Sequence, residues 1–144
     1  MDLQGKKAEI AKISSISPVL TSGEAKRMYF SENDIPAKAL ETAKKVLKIR
    51  EGETIIYFYD QTNLGSGSQG ICVTDKTVYW RRTALTRAYS LPIADIVDAE
   101  YYDSDGPYGY IWFSTKDKQL NTYVHGDTLM AGFLNEIITI LRSN

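Results

Sequence analysis

The sequence predicts an α+β, mainly β domain: a seven-stranded, partly open barrel capped by a C-terminal amphipathic helix and preceded by a helical N-terminal extension. Three observations predict it. Met130, Phe133, Leu134, Ile137, Ile138 and Leu141 recur at three-and-four spacing across Asp127–Asn144, so one helix presents a continuous apolar stripe that needs a surface to cover. The segments before it alternate with period two and are rich in β-branched and aromatic residues, and a curved sheet with an open end is such a surface. The third is scale: 144 residues with 43% apolar content supply one core. The expected division is a helical extension over residues 1–52 and a barrel over residues 53–144.

Taken in order, residues 2–16 set Leu3, Ile10, Ile13 and Ile16 among Lys and Glu, a sparse amphipathic helix. Ser14 to Gly23 reads as a turn or linker, interrupted by Ser17-Pro18 and Thr21-Ser22-Gly23. Met28-Tyr29-Phe30 reads equally as a short strand or an anchor. A second helix is expected to be capped by Ser31 or Asn33, to carry Pro36 in its first turn and to run to about Ile49, with Ala39, Leu40, Ala43, Val46 and Leu47 as its apolar side. Strands follow at Thr54–Asp60, Gln69–Thr74, Thr77–Arg82 and Arg87–Leu91, the second and third joined by the two-residue connection Asp75-Lys76. A fifth lies within Ile93–Tyr102, where Val97, Ala99 and Tyr101 are expected to share a face. The turn Asp103–Gly109 and the strands Tyr110–Thr115 and Leu120–His125 complete the seven.

Charge is unevenly spread: residues 1–50 carry 10 Lys and Arg against 6 Asp and Glu, and residues 51–144 carry 7 against 12. An acidic barrel disfavours nucleic acid as its ligand, because phosphate contacts demand clustered positive charge. The lone cysteine, Cys72, falls inside a predicted strand and reads as a small buried hydrophobe. With no signal-like apolar run and no stretch of 18 apolar residues, the expected location is the cytoplasm.

Two phrases, Leu64–Trp80 (LGSGSQGICVTDKTVYW) and Ser90–Tyr101 (SLPIADIVDAEY), together with the strand order, resemble bacterial pleckstrin-homology-like and GRAM-like domains across residues 53–144. The resemblance implies a binding or assembly module without catalysis. Its lipid-binding members grip phosphate with cations around the loop after the first barrel strand. Here Gln61–Gln69 contains no Lys or Arg.

Candidate sites follow from residue chemistry. Gly65, Gly67 and Gly70 complete a G-x-G-x-x-G pattern, yet strands and not a helix follow it, so it reads as a flexible loop using positive φ, and a nucleotide-binding enzyme is the least favoured reading. Arg81, Arg82 and Arg87, near Trp80 and Leu85, form the cationic cluster on a hairpin and would serve an alternative role in binding anionic lipid. Asp98, Glu100, Asp103 and Asp105 lack the regular calcium-loop pattern and read as a solvated face or a docking surface for a basic partner, with Lys38–Arg50 of the chain's own helix as one candidate. His125 is the sole histidine, which leaves no multi-histidine metal site. The leading expectation is a non-catalytic protein-interaction or oligomerisation module, with no cofactor and no metal. Its surface is expected to use exposed aromatic residues such as Trp80 and Tyr102 to hold a protein or peptide, or a second copy of the chain, with a membrane surface as the secondary partner.

Overall fold

The structure, a computed structural model, describes residues 2–17, 27–62, 65–102, 109–116 and 124–143. In chain order its elements are α1 (Leu3–Ile16), β1 (Met28–Tyr29), α2 (Ala37–Val46), β2 (Ile55–Asp60), β3 (Gly70–Thr74), β4 (Thr77–Arg81), β5 (Tyr89–Pro92), β6 (Ile96–Tyr102), β7 (Gly109–Thr115), β8 (Val124–Gly126) and α3 (Thr128–Arg142). The α+β class holds. Among the described residues helix, at 39%, exceeds strand, at 33%, which corrects the mainly β expectation.

The strands lie in two antiparallel sheets, ordered β1-β2-β3-β4-β5 and β6-β7-β8, and not in one seven-strand meander. Met28–Tyr29 resolves as a strand, pairing with Phe58 and Tyr59. The sheets part at Pro92, which has no N–H to donate to a ladder, and at the 3-10 turn Ile93–Asp95. The chain also divides into two compact units, Gly23–Pro92 and a second made of Met1–Ser22 with Ile93–Asn144. The expected boundary at residues 52 and 53 is therefore not where the contacts divide the chain. Helix α2 shares a core with the first sheet, whereas α1 belongs with α3.

In the unit Gly23–Pro92, Ile35 is extended, with ψ 128, as the residue before a proline must be. The helix consequently begins at Ala37 and not near Ser31, which instead caps a separate 3-10 turn, Glu32–Asp34, by accepting from the Asn33 amide. Ala39 and Ala43 on α2 and Leu47 at its C-cap then pack with Ile35 onto Ile55, Phe58, Cys72 and Tyr79. A register shift between Ile55 and Tyr57 puts Ile55 and Phe58 on the same face despite their odd spacing. Lys48, with φ 58, ends this helical segment.

In the other unit, Asp2 caps α1 by accepting from the Gly5 amide, and Asp127 caps α3 by accepting from the Met130 amide. Ser14 and Ser15, expected in a linker, are helical; residues 18–23 of that linker lie outside the described residues. Helix α1 packs on α3, with Lys6 Nζ donating to the Leu141 carbonyl at 2.8 Å, near the negative end of the α3 dipole. The α3 stripe is wider than the sequence pattern suggests, because Ala131 and Ile140 are buried along with the six predicted positions. Arg142 donates to the Ile96 carbonyl, and the Asn135 amide brackets Ala99 on β6, accepting from its N–H and donating to its C=O, both at 2.8 Å. A helix side chain thereby satisfies both backbone groups of a strand residue. The turn expected at 103–109 and the first part of the seventh predicted strand fall largely outside the described residues.

Candidate functional site

A carboxylate placed among hydroxyls marks the first polar cluster, on the sheet of the Gly23–Pro92 unit. Glu53 precedes β2, and its side chain is only 8% exposed. Its Oε1 accepts from Tyr79 OH at 2.8 Å and from Thr74 Oγ1 at 2.7 Å, and its Oε2 accepts from Thr77 Oγ1 at 3.1 Å. Arg50 sits beside it at 3.9 Å and donates its backbone N–H to Tyr79 OH. Burial pushes the Tyr79 phenol above its ordinary value; the Arg50 amide opposes this, and Glu53 as acceptor adds to it. Sequence reasoning missed this cluster, since Glu53 enters there only as the first residue of the expected barrel.

Asp60 forms the second cluster, at the mouth of the glycine loop. It is buried, with Oδ1 accepting from the Thr62 amide and hydroxyl and Oδ2 from the Gly67 amide. Gly65, Gly67 and Gly70 all have positive φ, as expected. Two of them also pack closely: a Cβ on Gly70 would stand 2.0 Å from the Tyr59 carbonyl oxygen, and one on Gly67 2.2 Å from that of Ala39. These glycines serve close backbone approach within the fold.

Trp80 is 0% exposed, so its expected role as an exposed anchor is corrected: β4 is buried on both faces, and period two cannot turn it outward. Arg81, half-buried, commits its guanidinium to three backbone carbonyls, those of Thr86, Ser68 and Ala84. That use as a clamp withdraws it from the predicted anion-binding cluster. What the clamp builds is a fixed turn, Thr83–Thr86, closed by Thr83 and Thr86 through both backbone and hydroxyls, with Leu85 98% exposed at its tip. Arg82 is half-buried, and Arg87 is exposed with its guanidinium 4.9 Å from the Tyr89 ring centroid. Burial, with the Glu32 and Glu53 charges adding to it, raises the Cys72 thiol far above the ordinary range, so it stays protonated and unreactive.

The third region is the solvent-facing side of β6-β7-β8. A register shift between Ile96 and Asp98 expels Val97 to the surface, out of phase with buried Ala99, so the face-sharing expected of Val97, Ala99 and Tyr101 does not hold. Beyond it Asp98, Glu100 and Tyr102 pair with Ser114, Trp112 and Tyr110, all on the outer side. Tyr102 is 43% exposed, donates to Glu100 Oε2 at 2.6 Å, and meets Trp112 edge to face at 6.4 Å. Tyr110 lies 5.5 Å from the His125 ring on β8. Asp103 and Asp105 lie outside the described residues.

Comparison of the chain with protein-family models, with curated proteins and with solved structures finds no match. Among the described residues, no three His, Cys, Asp or Glu side chains gather as a metal-holding group, and no helix is long and apolar enough to cross a membrane. Geometry therefore carries the functional reading.

Proposed function

We propose that the chain is a non-catalytic interaction module of the cytoplasm on a pleckstrin-homology-like plan, whose recognition surface is the outer face of β6-β7-β8. In this reading β2 to β8 are the seven strands of a partly open barrel and α3 is its capping helix. Support for the plan is the consecutive antiparallel order within each sheet, followed by an amphipathic helix. The carrying observation for the function is exposed Tyr102, with half-buried Trp112 and Tyr110 beside it, on a sheet face whose backing is fixed by the Asn135 clamp. Rigid aromatics contribute large contact area at little entropic cost, which is why they anchor interfaces. The polar clusters around Glu53 and Asp60, by contrast, spend their hydrogen bonds inside the fold.

The partner is a protein or peptide, or a second copy of the chain. Light scattering of the parent and of a Tyr102→Ala, Trp112→Ala double variant tests the surface, together with capture of soluble partners by each. Loss of self-association or of partner capture in the variant supports it. A variant that assembles and captures like the parent removes this face from the proposal.

One observation favours a second reading. Residues 76–94 contain Lys76, Arg81, Arg82 and Arg87 and no Asp or Glu, and Leu85 projects from the clamped turn among them. An exposed Leu with the exposed Arg87 close by in sequence and the half-buried Arg82 on its other side suits an anionic lipid surface, where each cation adds about 1 kcal/mol. Sedimentation with anionic and neutral vesicles, for the parent and for Leu85→Ser, separates this reading from the first; equal pelleting in all cases sinks it.

A further inference from the structure

We propose that Arg81 is the positioning residue of a bilayer-entering turn: it binds no headgroup itself and holds Thr83–Thr86 so that Leu85 reaches the apolar layer of an anionic membrane. This rests on the second, anionic-lipid reading and names what organises its site. Arg81 is the last residue of β4, and its guanidinium donates from Nε to the Thr86 carbonyl at 3.0 Å, from Nη1 to that of Ser68 at 2.9 Å and from Nη2 to that of Ala84 at 2.9 Å. Ala84 and Thr86 flank Leu85, and Ser68 belongs to the glycine loop. A planar fork with donors in fixed directions fixes three acceptors at once, which an ammonium on a flexible stem does not. The turn is thereby anchored to the loop beside it.

A turn that leaves water must carry its own hydrogen-bond partners, because lipid tails offer none. Thr83–Thr86 does so. The Thr83 amide donates to the Thr86 hydroxyl at 3.1 Å, the Leu85 amide to the Thr83 hydroxyl at 3.2 Å, and the Thr86 amide to the Thr83 carbonyl at 3.2 Å. With the Arg81 clamp, these bonds satisfy the N–H groups of Thr83, Leu85 and Thr86 and the carbonyls of Thr83, Ala84 and Thr86. Leu85 is 98% exposed at the tip, and Arg87 follows the turn as an exposed cation. Residues 76–94 contain no Asp or Glu to repel an anionic surface. An apolar tip with its backbone already paired and a cation behind it matches the order of a bilayer, apolar below and anionic above.

The experiment is sedimentation of the full chain with vesicles of phosphatidylcholine and phosphatidylserine in equal parts, and of phosphatidylcholine alone, at low and at physiological salt. Binding to the anionic vesicles is expected to weaken about ten-fold in Leu85→Ser and about as much in Arg81→Lys, which keeps the charge but not the fork. Neither loss should shrink with added salt, and Arg81→Lys should cost nothing further in a Leu85→Ser background. Arg87→Gln is expected to weaken binding about five-fold at low salt and less at physiological salt. Thermal unfolding of each variant is recorded, and Arg81→Gln replaces the lysine variant if that one fails to fold. Arg81→Lys binding like the parent, or weakening binding equally with and without Leu85, overturns the positioning role and leaves the lipid reading standing. A parent that pellets alike with both vesicle types, or a Leu85→Ser variant that pellets like the parent, removes the lipid reading and the positioning role with it.

Discussion

The same chemical pair, a glutamate accepting from a tyrosine hydroxyl, occurs in both units with opposite surroundings. Glu53 and Tyr79 meet at 2.8 Å where the glutamate side chain is nearly sealed from solvent, two threonine hydroxyls complete its shell, and Arg50 stands alongside. Glu100 and Tyr102 meet at 2.6 Å on a sheet face where Tyr102 is substantially exposed. A buried carboxylate without its donors is costly, so the first pair is held by the fold and holds the fold in return. The second stands on a sheet face with half-buried Glu100 beside exposed Tyr102, where fewer of its polar atoms depend on the fold for desolvation. Burial, and not residue type, separates the structural carboxylate of Glu53 from the surface one of Glu100.

The comparison can be broken or sharpened by substitution. Glu53→Ala leaves the buried Thr77 and Tyr79 hydroxyls without their acceptor, and Thr74 with only the Thr77 carbonyl, and should destabilise the chain by about 3 kcal/mol in urea unfolding. An effect below about 1 kcal/mol would show that the cluster is not the structural knot described. Gly70→Ala forces a Cβ into the Tyr59 carbonyl at a φ of 142, and about 3 kcal/mol of destabilisation is likewise expected, which would confirm that the loop glycines serve packing.

Tyr79→Phe should cost about 1–2 kcal/mol and should also change the alkaline limb of stability. A phenol whose folded value is raised above its unfolded value contributes stability that is complete below about pH 10 and is lost as pH rises from there through the folded value. The parent should therefore lose stability above about pH 10 more steeply than Tyr79→Phe; parallel curves would contradict the assigned environment.

Arg81→Ala should cost about 2 kcal/mol, since three carbonyls lose a charged donor, whereas Arg87→Ala should stay within about 0.5 kcal/mol. Equal effects would undo the distinction between clamp and surface cation. Smallest of all, Glu100→Gln should leave the unfolding midpoint almost unmoved, the reverse of the Glu53 outcome.

Much of this was legible in the residues, for a local reason. Period-two runs such as TIIYFYD became strands, the three-and-four stripe became α3, and Asp75-Lys76 joined a hairpin, because side-chain periodicity and turn chemistry act over a few neighbours. Ile35-Pro36 shows where that logic was misapplied: the restriction a proline places on its predecessor moved the start of α2 to Ala37. The candidate surface was half legible. Tyr102 was named among the exposed aromatics and Glu100 within an acidic face, but Trp80, identical in type to Trp112, gave no sign of which of the two would be buried.

Sequence by itself determined which segments form helix or strand, the apolar stripe of α3, and the crowding of acidic residues toward the C-terminal part. Only tertiary structure decided that α1 joins α3, that α2 joins the first sheet, and that the strands split at Pro92. It also decided that Glu53 is sealed while Glu100 stays at the surface, and that Arg81 is a clamp. The physical reason is range: propensity and periodicity are properties of adjacent residues, whereas burial and hydrogen-bond partners depend on groups such as Arg50, Thr77 and Asn135 that the chain brings from tens of positions away.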